Sequence, residues 1–291
     1  MIRLPKDKYK RGGLGFPFFC FCRFWGWVFS IILMPVILFR INRAIENLKK
    51  SFPQKTWLWH LKVAYSAFVE ALQSLIETFW WYVISSPQRG SDRWKPILRV
   101  KTGMVMSPEF EAVLKDDSNP LVILSAHSSN FVAIIIAALL TGRPVGVFLK
   151  KVKNRPLERL FFKIRYDIGI EHLYVDEEAS PIKAARILKN NGIVIALLDQ
   201  HFGRKGRRKV VFFGRECFIA PGVLVLAKRF KAKIATAFVS RGKDCSLNIS
   251  FMGFLNEEND DEILQKFTNL LEYHVKKFPG QWAWMHRRWK I

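Results

Sequence analysis

Cysteine is scarce in this chain of 291 residues, which contains only Cys20, Cys22, Cys217 and Cys245. No pair of them has zinc-ligand spacing with suitable partners, and their positions indicate no disulfide framework. This scarcity argues against a disulfide-stapled scaffold and against a structural zinc site. We therefore expect reduced thiols in a protein that faces the cytosol, and no bound metal.

Acidic residues are also few, since 24 Asp and Glu stand against 47 Lys and Arg, for a formal net charge of +23. Such a charge attracts anionic partners, which include nucleic acid, acidic lipids, phosphorylated substrates and acidic carrier proteins. The 25 Phe and 10 Trp favour a membrane–water interface, where basic and aromatic side chains both concentrate. No recognised nucleic-acid-reading module accompanies the charge, so we expect a membrane partner and no nucleic acid.

The N-terminal segment Leu14–Phe39 contains a single charge, Arg23, in 26 residues. Its uncharged part, Phe24–Phe39, would form a helix about 24 Å long, which is shorter than a hydrocarbon core of about 30 Å. Basic residues flank both ends, so the positive-inside rule gives no orientation, and a spanning helix and a re-entrant or interfacial anchor both stay open. No Pro-, Gly- or Ser-rich linker follows residue 40, so we predict a basic, anchoring segment at 1–41 and one domain at 42–291.

Short apolar segments alternate with amphipathic ones along the rest of the chain. This pattern predicts an α/β fold with a mixed central sheet flanked by helices, in addition to the N-terminal hydrophobic membrane-anchoring helix. Ser180 and Pro181 predict a helix start, and Asn191 with Gly192 predicts a helix end. The predicted strands are Ile97–Val105, Leu121–Ser125, Val145–Leu149, Ile170–Val175, Ile193–Leu198, Val210–Phe213, Lys233–Val239 and Ser246–Phe251. The predicted helices are Trp57–Ile84 (as one or two helices), Asn130–Leu140, Leu157–Ile168, Ser180–Asn190, Pro221–Phe230 and Asp260–Phe278.

One histidine, His127, follows the predicted strand Leu121–Ser125 in the segment SAHSSNFV. A residue at the carboxyl end of a strand in an α/β sheet faces the usual ligand crevice, although a histidine that merely caps the turn fits the position equally well. Backbone N–H groups near Ser128 and Ser129, at the start of the next helix, suit a developing oxyanion. Asp199 also follows a strand, so we expect its carboxylate in the same crevice.

Several segments, taken in order, resemble the late acyltransferases of lipid A biosynthesis, the lauroyl/myristoyl transferase family. The most specific are NLKKSFP at residues 47–53 and QWAWMHRRWK at residues 281–290. Weaker pieces are R-x-x-x-G, D-Q and F-F-G at residues 165–169, 199–200 and 212–214, whose order and spacing add weight. The resemblance runs from about residue 20 to the end of the chain.

The resemblance implies an enzyme with an α/β sandwich fold that moves a fatty acyl chain from an acyl carrier protein or acyl-CoA thioester to a lipid or glycolipid acceptor, such as a lipid A precursor. It also implies attachment to the cytosolic face of the bacterial inner membrane through the N-terminal hydrophobic segment. The expected partners are therefore the acyl carrier protein or acyl-CoA, an anionic lipid or glycolipid acceptor and the membrane, with no cofactor besides the acyl donor. We expect the Trp57–Ile84 segment to form part of an apolar groove for the acyl chain.

The family's catalytic motif is a histidine, four residues and then Asp or Glu, in which the histidine is the general base and the carboxylate orients it. His127 matches the histidine, but Val132 occupies the acidic position and cannot accept a hydrogen bond. One interpretation is that another carboxylate takes the role in space, with Asp199 the leading candidate and Glu171 a weaker one. A second is an amine acceptor, which needs less help from a base. A third is a catalytically weak or silent acyl- or lipid-binding homologue.

Further polar residues are candidates for substrate binding. The segment Gly203–Lys209 carries five cations in seven residues and is either a site for lipid phosphates or an acidic carrier protein, or a solvated loop. In the C-terminal segment 281–290, the tryptophans favour packing or interface anchoring, while the His-Arg-Arg run fits either acceptor phosphate or a structural cluster. We predict catalytic roles for His127 and Asp199. The predicted substrate-binding residues are Ser128, Ser129, Asn130, Arg165, Gln200, Arg204, Arg207 and Arg208.

Overall fold

The computed structural model describes residues 24–26, 28, 34–85, 103–201 and 206–289, without the side chains of residues 34–40, 84 and 85. The helices are α1 (Met34–Ser51), α2 (Trp57–Ser85), α3 (Pro108–Lys115), α4 (Val132–Leu139), α5 (Arg155–Asp167), α6 (Ala179–Lys189), α7 (Gly222–Arg229) and α8 (Asp260–Lys277). The strands are β1 (Met104–Met106), β2 (Leu121–Ser125), β3 (Val145–Leu149), β4 (Glu171–Tyr174), β5 (Ile193–Leu197), β6 (Arg208–Phe212), β7 (Arg215–Ile219), β8 (Lys233–Arg241) and β9 (Leu247–Phe254).

The central sheet has seven strands in the order β1-β9-β8-β2-β5-β3-β4. The five strands from β8 to β4 run parallel to one another, whereas β9 is antiparallel to β8 and β1 is parallel to β9. The sheet is therefore mixed, and the predicted α/β fold with helices around a mixed sheet is confirmed. Because β2 lies between β5 and β8, the segments that leave these three parallel strands emerge side by side at one edge.

Both faces of the sheet are buried, which explains why its central strands are continuous apolar runs rather than alternating ones. In β2, Val122 and Leu124 pack into a core formed with α1, α2, α6, α7 and α8. Leu121 and Ile123 of the same strand point to the other face and pack against α3 and α4. The sheet is thus held rigidly between two helical layers, and so are the residues at its carboxyl edge.

A hairpin, β6 and β7, lies outside the central sheet and was only half predicted. Phe213 and Gly214 form its two-residue turn, both at positive φ, which is the backbone geometry that the right-handed twist of paired strands favours. The sequence indicated β6 but not β7, since the return strand buries only Cys217 and Ile219 and its other residues are more exposed. Helix α3 was also missed. It is short, with Ser107 as its N-cap, and residues 97–102 of the predicted strand before it lie outside the described residues.

The predicted start of helix α6 differs slightly from the observed one. The helix begins at Ala179, and Ser180 lies inside its first turn instead of capping it. The Ser180 hydroxyl donates to the Tyr174 carbonyl oxygen at 2.7 Å, which ties the helix to β4. Pro181 is tolerated there because the first-turn N–H groups have no partner within the helix. The predicted helix end is correct, since Asn191 has a φ of 51°.

The N-terminal helix α1 runs through the predicted boundary at residue 41 without a break. Most of the apolar segment Leu14–Phe39, together with Cys20 and Cys22, lies outside the described residues. Within the part of the chain that the structure describes, no helix combines the length and the apolar character that a membrane span needs. The anchoring helix and the division at residue 41 therefore stay predictions.

Candidate active site

The carboxyl ends of β2 and β5 place His127 next to Asp199. The two strands pair in parallel register with Ser125 opposite Leu197, and each of the two polar residues follows its strand by two positions. The backbone N–H of Leu198 donates to the Ser125 carbonyl oxygen at 3.0 Å, which extends the pairing one residue beyond the strands. The contact between residues 72 positions apart is thus a direct result of strand order and register.

The Asp199 carboxylate is fully buried and accepts three hydrogen bonds. Its Oδ1 lies 2.7 Å from His127 Nδ1, and its Oδ2 accepts from the His127 backbone N–H at 2.9 Å and from Trp282 Nε1 at 2.9 Å. A carboxylate can only accept, so the Nδ1 of His127 carries the proton and Nε2 is the basic nitrogen when the ring is neutral. The His127 side chain retains 25% of its exposure, so one edge of the ring is open to the crevice.

The electrostatics keep Asp199 ionised. Burial alone would raise the pKa of the Asp199 carboxyl, but the charge and hydrogen bonds of His127 and the charge of His286 outweigh it and hold the pKa below its ordinary value. A buried, ionised acceptor fixes the ring orientation and stabilises the imidazolium that forms when His127 takes a proton. The pair has the geometry and charge of a base with its orienting carboxylate.

The Nε2 side of His127 faces two further polar groups. Gln200 Nε2 lies 3.2 Å from His127 Nε2 and 3.2 Å from His286 Nε2, so the one amide bridges the two imidazoles. Phe131 packs edge-on against the His127 ring, with the ring centroids 4.9 Å apart. The sequence predicted Gln200 as a substrate contact, and the structure brings it to the basic nitrogen of His127.

The turn after His127 is fixed by backbone hydrogen bonds within the protein. Ser129 has a φ of 48°, a left-handed backbone conformation that is uncommon outside glycine and that surrounding contacts must maintain. Its backbone N–H donates to the Gln281 carbonyl oxygen at 2.7 Å, and the Ser128 N–H donates to the Ala126 carbonyl oxygen at 2.8 Å. Both N–H groups thus already have backbone acceptors, and the role of N–H groups near Ser128 and Ser129 in binding an oxyanion stays a prediction.

The side chains of the same turn also form hydrogen bonds within the protein. The Ser128 hydroxyl donates to the Val239 carbonyl oxygen at 3.0 Å, and the Ser129 hydroxyl donates to Glu70 Oε1 at 2.6 Å. The Asn130 amide donates to Glu77 Oε2 at 3.1 Å. All three residues are buried, so the structure places them behind the site, where they fix the turn, and not on the substrate side where the sequence had put them.

A buried ionic network anchors this turn to helix α2. The Arg241 guanidinium, at the end of β8, contacts both oxygens of Glu70 at 2.8 and 3.0 Å and both oxygens of Glu77 at 2.8 and 2.9 Å. Burial raises the pKa of Glu77, and the Arg241 charge only partly offsets it. Burial disfavours the Arg241 charge, but the two carboxylates more than compensate and raise the arginine pKa. The sequence signal that we missed is a pair of glutamates seven residues apart in a helix whose other residues are mostly apolar.

Arg241→Ala is expected to lower the free energy of unfolding by about 3 to 5 kcal/mol, because it leaves two buried carboxylates without their cation. Urea denaturation monitored by tryptophan fluorescence measures the effect. Arg186→Ala, which removes an exposed arginine from α6, is the matched control and is expected to cost less than about 1 kcal/mol. A cost that is equally small for Arg241→Ala would contradict a structural role for the network.

His274 of α8 adds a pH-dependent contact behind the turn. Its Nε2 lies 2.8 Å from Ser128 Oγ, and burial lowers its pKa from 6.5 to about 4 despite a hydrogen bond to Val239. The unfolded chain therefore binds the proton more readily, so stability is complete above pH 6.5 and is lost as the pH falls towards 4. We expect the loss to reach about 3 kcal/mol and to be smaller in His274→Gln, measured by urea denaturation between pH 7.5 and 4. Parallel losses in both proteins would contradict the assignment to His274.

The described arginines among the predicted residues contact other parts of the protein. Arg165 pairs with Glu158 at 2.9 Å and lies beside Tyr174 of the edge strand β4, three strands away from β2, so the structure does not bring it to His127. Arg207 stacks on Phe218 at 3.8 Å, and the exposed Arg208 pairs with Asp261 at 3.5 Å. Arg204 lies outside the described residues.

The C-terminal segment contacts residues of the candidate active site directly. Trp282 and Trp284 are buried and pack against each other, as predicted, but the Trp282 indole also binds Asp199, a role that the sequence did not suggest. Arg288 is buried, and its Nη1 donates to the Gln200 carbonyl oxygen at 3.2 Å and the Phe218 carbonyl oxygen at 3.1 Å. The structural interpretation of this arginine is therefore the better one. In the described residues, no group of three or more His, Cys, Asp or Glu is placed to hold a metal ion.

Among solved structures, the chain is similar to the crystal structure of the 1-acyl-sn-glycerophosphate (LPA) acyltransferase PlsC from Thermotoga maritima. The two are 11% identical with a TM-score of 0.40, and the match covers 89% of this chain and 99% of that one. A likeness of this size supports no further argument. A search of curated proteins finds no match. Residues 14–291 match the family model described as bacterial lipid A biosynthesis acyltransferase, so the chain belongs to that family and is an acyltransferase, as its sequence motifs predicted.

Proposed function

We propose that the protein transfers a fatty acyl chain from an acyl thioester to a hydroxyl group of a lipid or glycolipid acceptor, with His127 as the general base and Asp199 as its orienting carboxylate. The observation that carries the proposal is the 2.7 Å contact between His127 Nδ1 and a fully buried Asp199. General bases of this kind need a partner that fixes the tautomer and stabilises the imidazolium, and Asp199 satisfies both requirements.

The proposed reaction starts with the acceptor hydroxyl at His127 Nε2, in the place of the Gln200 amide that lies there at 3.2 Å. Nε2 removes the hydroxyl proton while the oxygen attacks the thioester carbonyl carbon. Collapse of the tetrahedral intermediate breaks the carbon–sulfur bond, and the imidazolium returns its proton to the departing thiolate. The products are the acylated acceptor and the free thiol of the carrier, and His127 ends neutral.

Asp199 explains how a family member works with Val132 in the acidic position. Val132 is the first residue of α4 and packs against the apolar core on one face of the sheet, so its side chain contributes to packing. The orienting carboxylate comes instead from the neighbouring strand β5. This arrangement favours an active enzyme over a silent binding homologue, because a buried carboxylate bonded to a histidine is costly to maintain without a purpose.

The surface supports action at a membrane. Large apolar side chains are exposed on the second half of α2 and on α5, two helices whose ends are joined by a hydrogen bond of 2.8 Å between the Tyr82 hydroxyl and Asp167. Exposed apolar side chains on a strongly basic protein suit an anionic lipid surface. We propose that these helices face the cytosolic leaflet of the inner membrane and that acyl carrier protein or acyl-CoA delivers the chain from the cytosol. The exposed residues are Leu75, Phe79, Trp80, Val83, Leu157, Leu160 and Phe162.

Lipid mass spectrometry of cells with and without the protein tests the function most directly. The expected result is an acceptor lipid that gains one ester-linked acyl chain only when the wild-type protein is present. Purified protein with radiolabelled acyl carrier protein or acyl-CoA should reproduce the transfer. Failure to detect any protein-dependent acylated lipid, with equal and negligible transfer by wild type and His127→Ala, would refute the enzyme proposal. An amide-linked product would instead identify an amine acceptor.

A further inference from the structure

A basic pocket of about 340 Å³ opens beside the candidate active site and is separate from the His127–Asp199 pair. Arg43, Asn47 and Lys50 line it from α1, Arg215 from the start of β7, and Arg287 and Trp289 from the C-terminal segment. The residues come from three distant parts of the sequence, two of which are the segments that most specifically mark the family. Four of the six are cations.

The four cations of this pocket have no acidic partner among the described residues. In the parts of the chain that the structure describes, no ion pair joins Arg43, Lys50, Arg215 or Arg287 to a carboxylate. Elsewhere on the surface, lysines and arginines do pair with acidic residues, for example Lys209 with Glu216 at 2.9 Å. Four like charges around one cavity repel each other, so the pocket favours an anion.

Arg215 is held in place to receive such an anion. Its guanidinium stacks on the Trp289 ring at 3.5 Å, and its Nη2 donates to Ser51 Oγ at 2.8 Å. The Nε atom is buried and has no hydrogen-bond partner. Burial lowers the pKa of Arg215 to about 10, a cost to the charged form that a nearby anion would offset. The stacked, pre-oriented guanidinium loses little conformational freedom when it binds.

The pocket is connected to the reacting groups through the C-terminal segment. The Asn47 amide donates to the carbonyl oxygens of Trp284 at 2.8 Å and His286 at 3.1 Å. His286 in turn lies 3.2 Å from the Gln200 amide that contacts His127. A molecule with its anionic group in the pocket can therefore extend along the C-terminal segment in the direction of Gln200 and His127.

We infer that this pocket binds a phosphate group of the lipid acceptor and so positions the acceptor hydroxyl at His127. The inference rests on the proposed acyl transfer, since it assigns the pocket to one of the two substrates. Guanidinium groups match the geometry of phosphate oxygens with paired N–H donors, and a lysine adds a further charge. The other source of the same chemistry is a phosphate on the acyl donor, which the experiment below separates from the acceptor.

The test compares a glycolipid acceptor that carries a phosphate monoester with the same molecule after phosphatase treatment. Arg215→Gln is expected to raise the KM for the phosphorylated acceptor about 10- to 100-fold, with little change in kcat or in the donor KM. The exposed pair Lys50→Gln/Arg287→Gln should act in the same direction with little risk to folding. Arg186→Gln on α6 is the matched control and should behave as wild type. With the dephosphorylated acceptor, all four proteins should have the same, higher KM.

Several outcomes would overturn the inference. One is an unchanged acceptor KM in both pocket variants, and another is an equal rise for the dephosphorylated acceptor. A rise in the donor KM, or inhibition by inorganic phosphate that competes with the donor, would assign the pocket to the donor instead. Binding of the two glycolipids to His127→Ala is measured by Trp fluorescence in detergent micelles. Because this variant lacks the proposed base, the measurement reports binding in the pocket without acyl transfer. If binding depends on the phosphate but wild type shows no turnover, the phosphate pocket is supported and the proposed acyl transfer is refuted. If wild type turns over the acceptor and neither binding nor KM depends on the phosphate, the acyl transfer is supported and the phosphate pocket is refuted.

Discussion

Asp199→Asn is expected to lower the kcat of acyl transfer by about 10³- to 10⁴-fold, because the amide no longer fixes the His127 tautomer or stabilises its imidazolium form. The carboxylate accepts from the His127 ring, the His127 backbone and Trp282, and among the described residues no second acidic group contacts Nδ1. The acceptor KM should change much less, since Asp199 is buried and does not reach the crevice. Steady-state kinetics with labelled acyl donor measures both quantities.

Two comparisons make this prediction specific. Asp167→Asn removes another hydrogen-bonded aspartate, one that accepts from the Tyr82 hydroxyl, and should leave kcat within a few-fold of wild type. Val132→Glu restores the acidic residue of the family motif and should bring no gain, because His127 Nδ1 already has its carboxylate. A large gain from Val132→Glu, together with a small loss in Asp199→Asn, would mean that the site lacks its partner.

His127→Ala is expected to lower kcat by about 10³-fold or more, because it removes the group that accepts the hydroxyl proton and returns it to the leaving thiolate. The loss should appear at every pH, whereas a residue that only packs would affect stability more than turnover. Near-ultraviolet circular dichroism of the folded variant checks that the site remains assembled.

His172→Gln is the matched control for this prediction. His172 is buried beside Phe162 and Tyr174 on the edge strand β4, far from the crevice in strand order. Its replacement should leave kcat nearly unchanged. Turnover by His127→Ala that is close to wild type would exclude His127 as the base, whatever the control shows.

The sequence predicted the parts of the site that depend on local pattern and strand direction. The apolar runs of β2 and β3 gave their bounds correctly, and β5 was one residue too long. Polar residues that follow parallel strands gather at one edge of the sheet, so Asp199 was a reasonable partner for His127 before any geometry was known. Neither step needed information about distant contacts.

The rest of the site depends on contacts that no local pattern encodes. The Trp282 bond to Asp199 and the Arg241 bonds to Glu70 and Glu77 join residues that are at least 83 positions apart. The sequence also could not show that the N–H groups of Ser128 and Ser129 were taken, since their acceptors are set by a positive φ at Ser129 and by the C-terminal segment. Family motifs marked the C-terminal segment as important, but its contacts became clear only in the folded chain.

The central claim is that His127 and Asp199 act as one catalytic unit, and a double-mutant cycle tests it most directly. The measurement is kcat for acyl transfer by wild type, Asp199→Asn, His127→Ala and the double variant. If the carboxylate acts only through the imidazole, the double variant should be no slower than His127→Ala alone, because groups that act together lose their effect together. A double variant slower by the product of the two single losses would contradict the account, since it would show that Asp199 acts independently of His127.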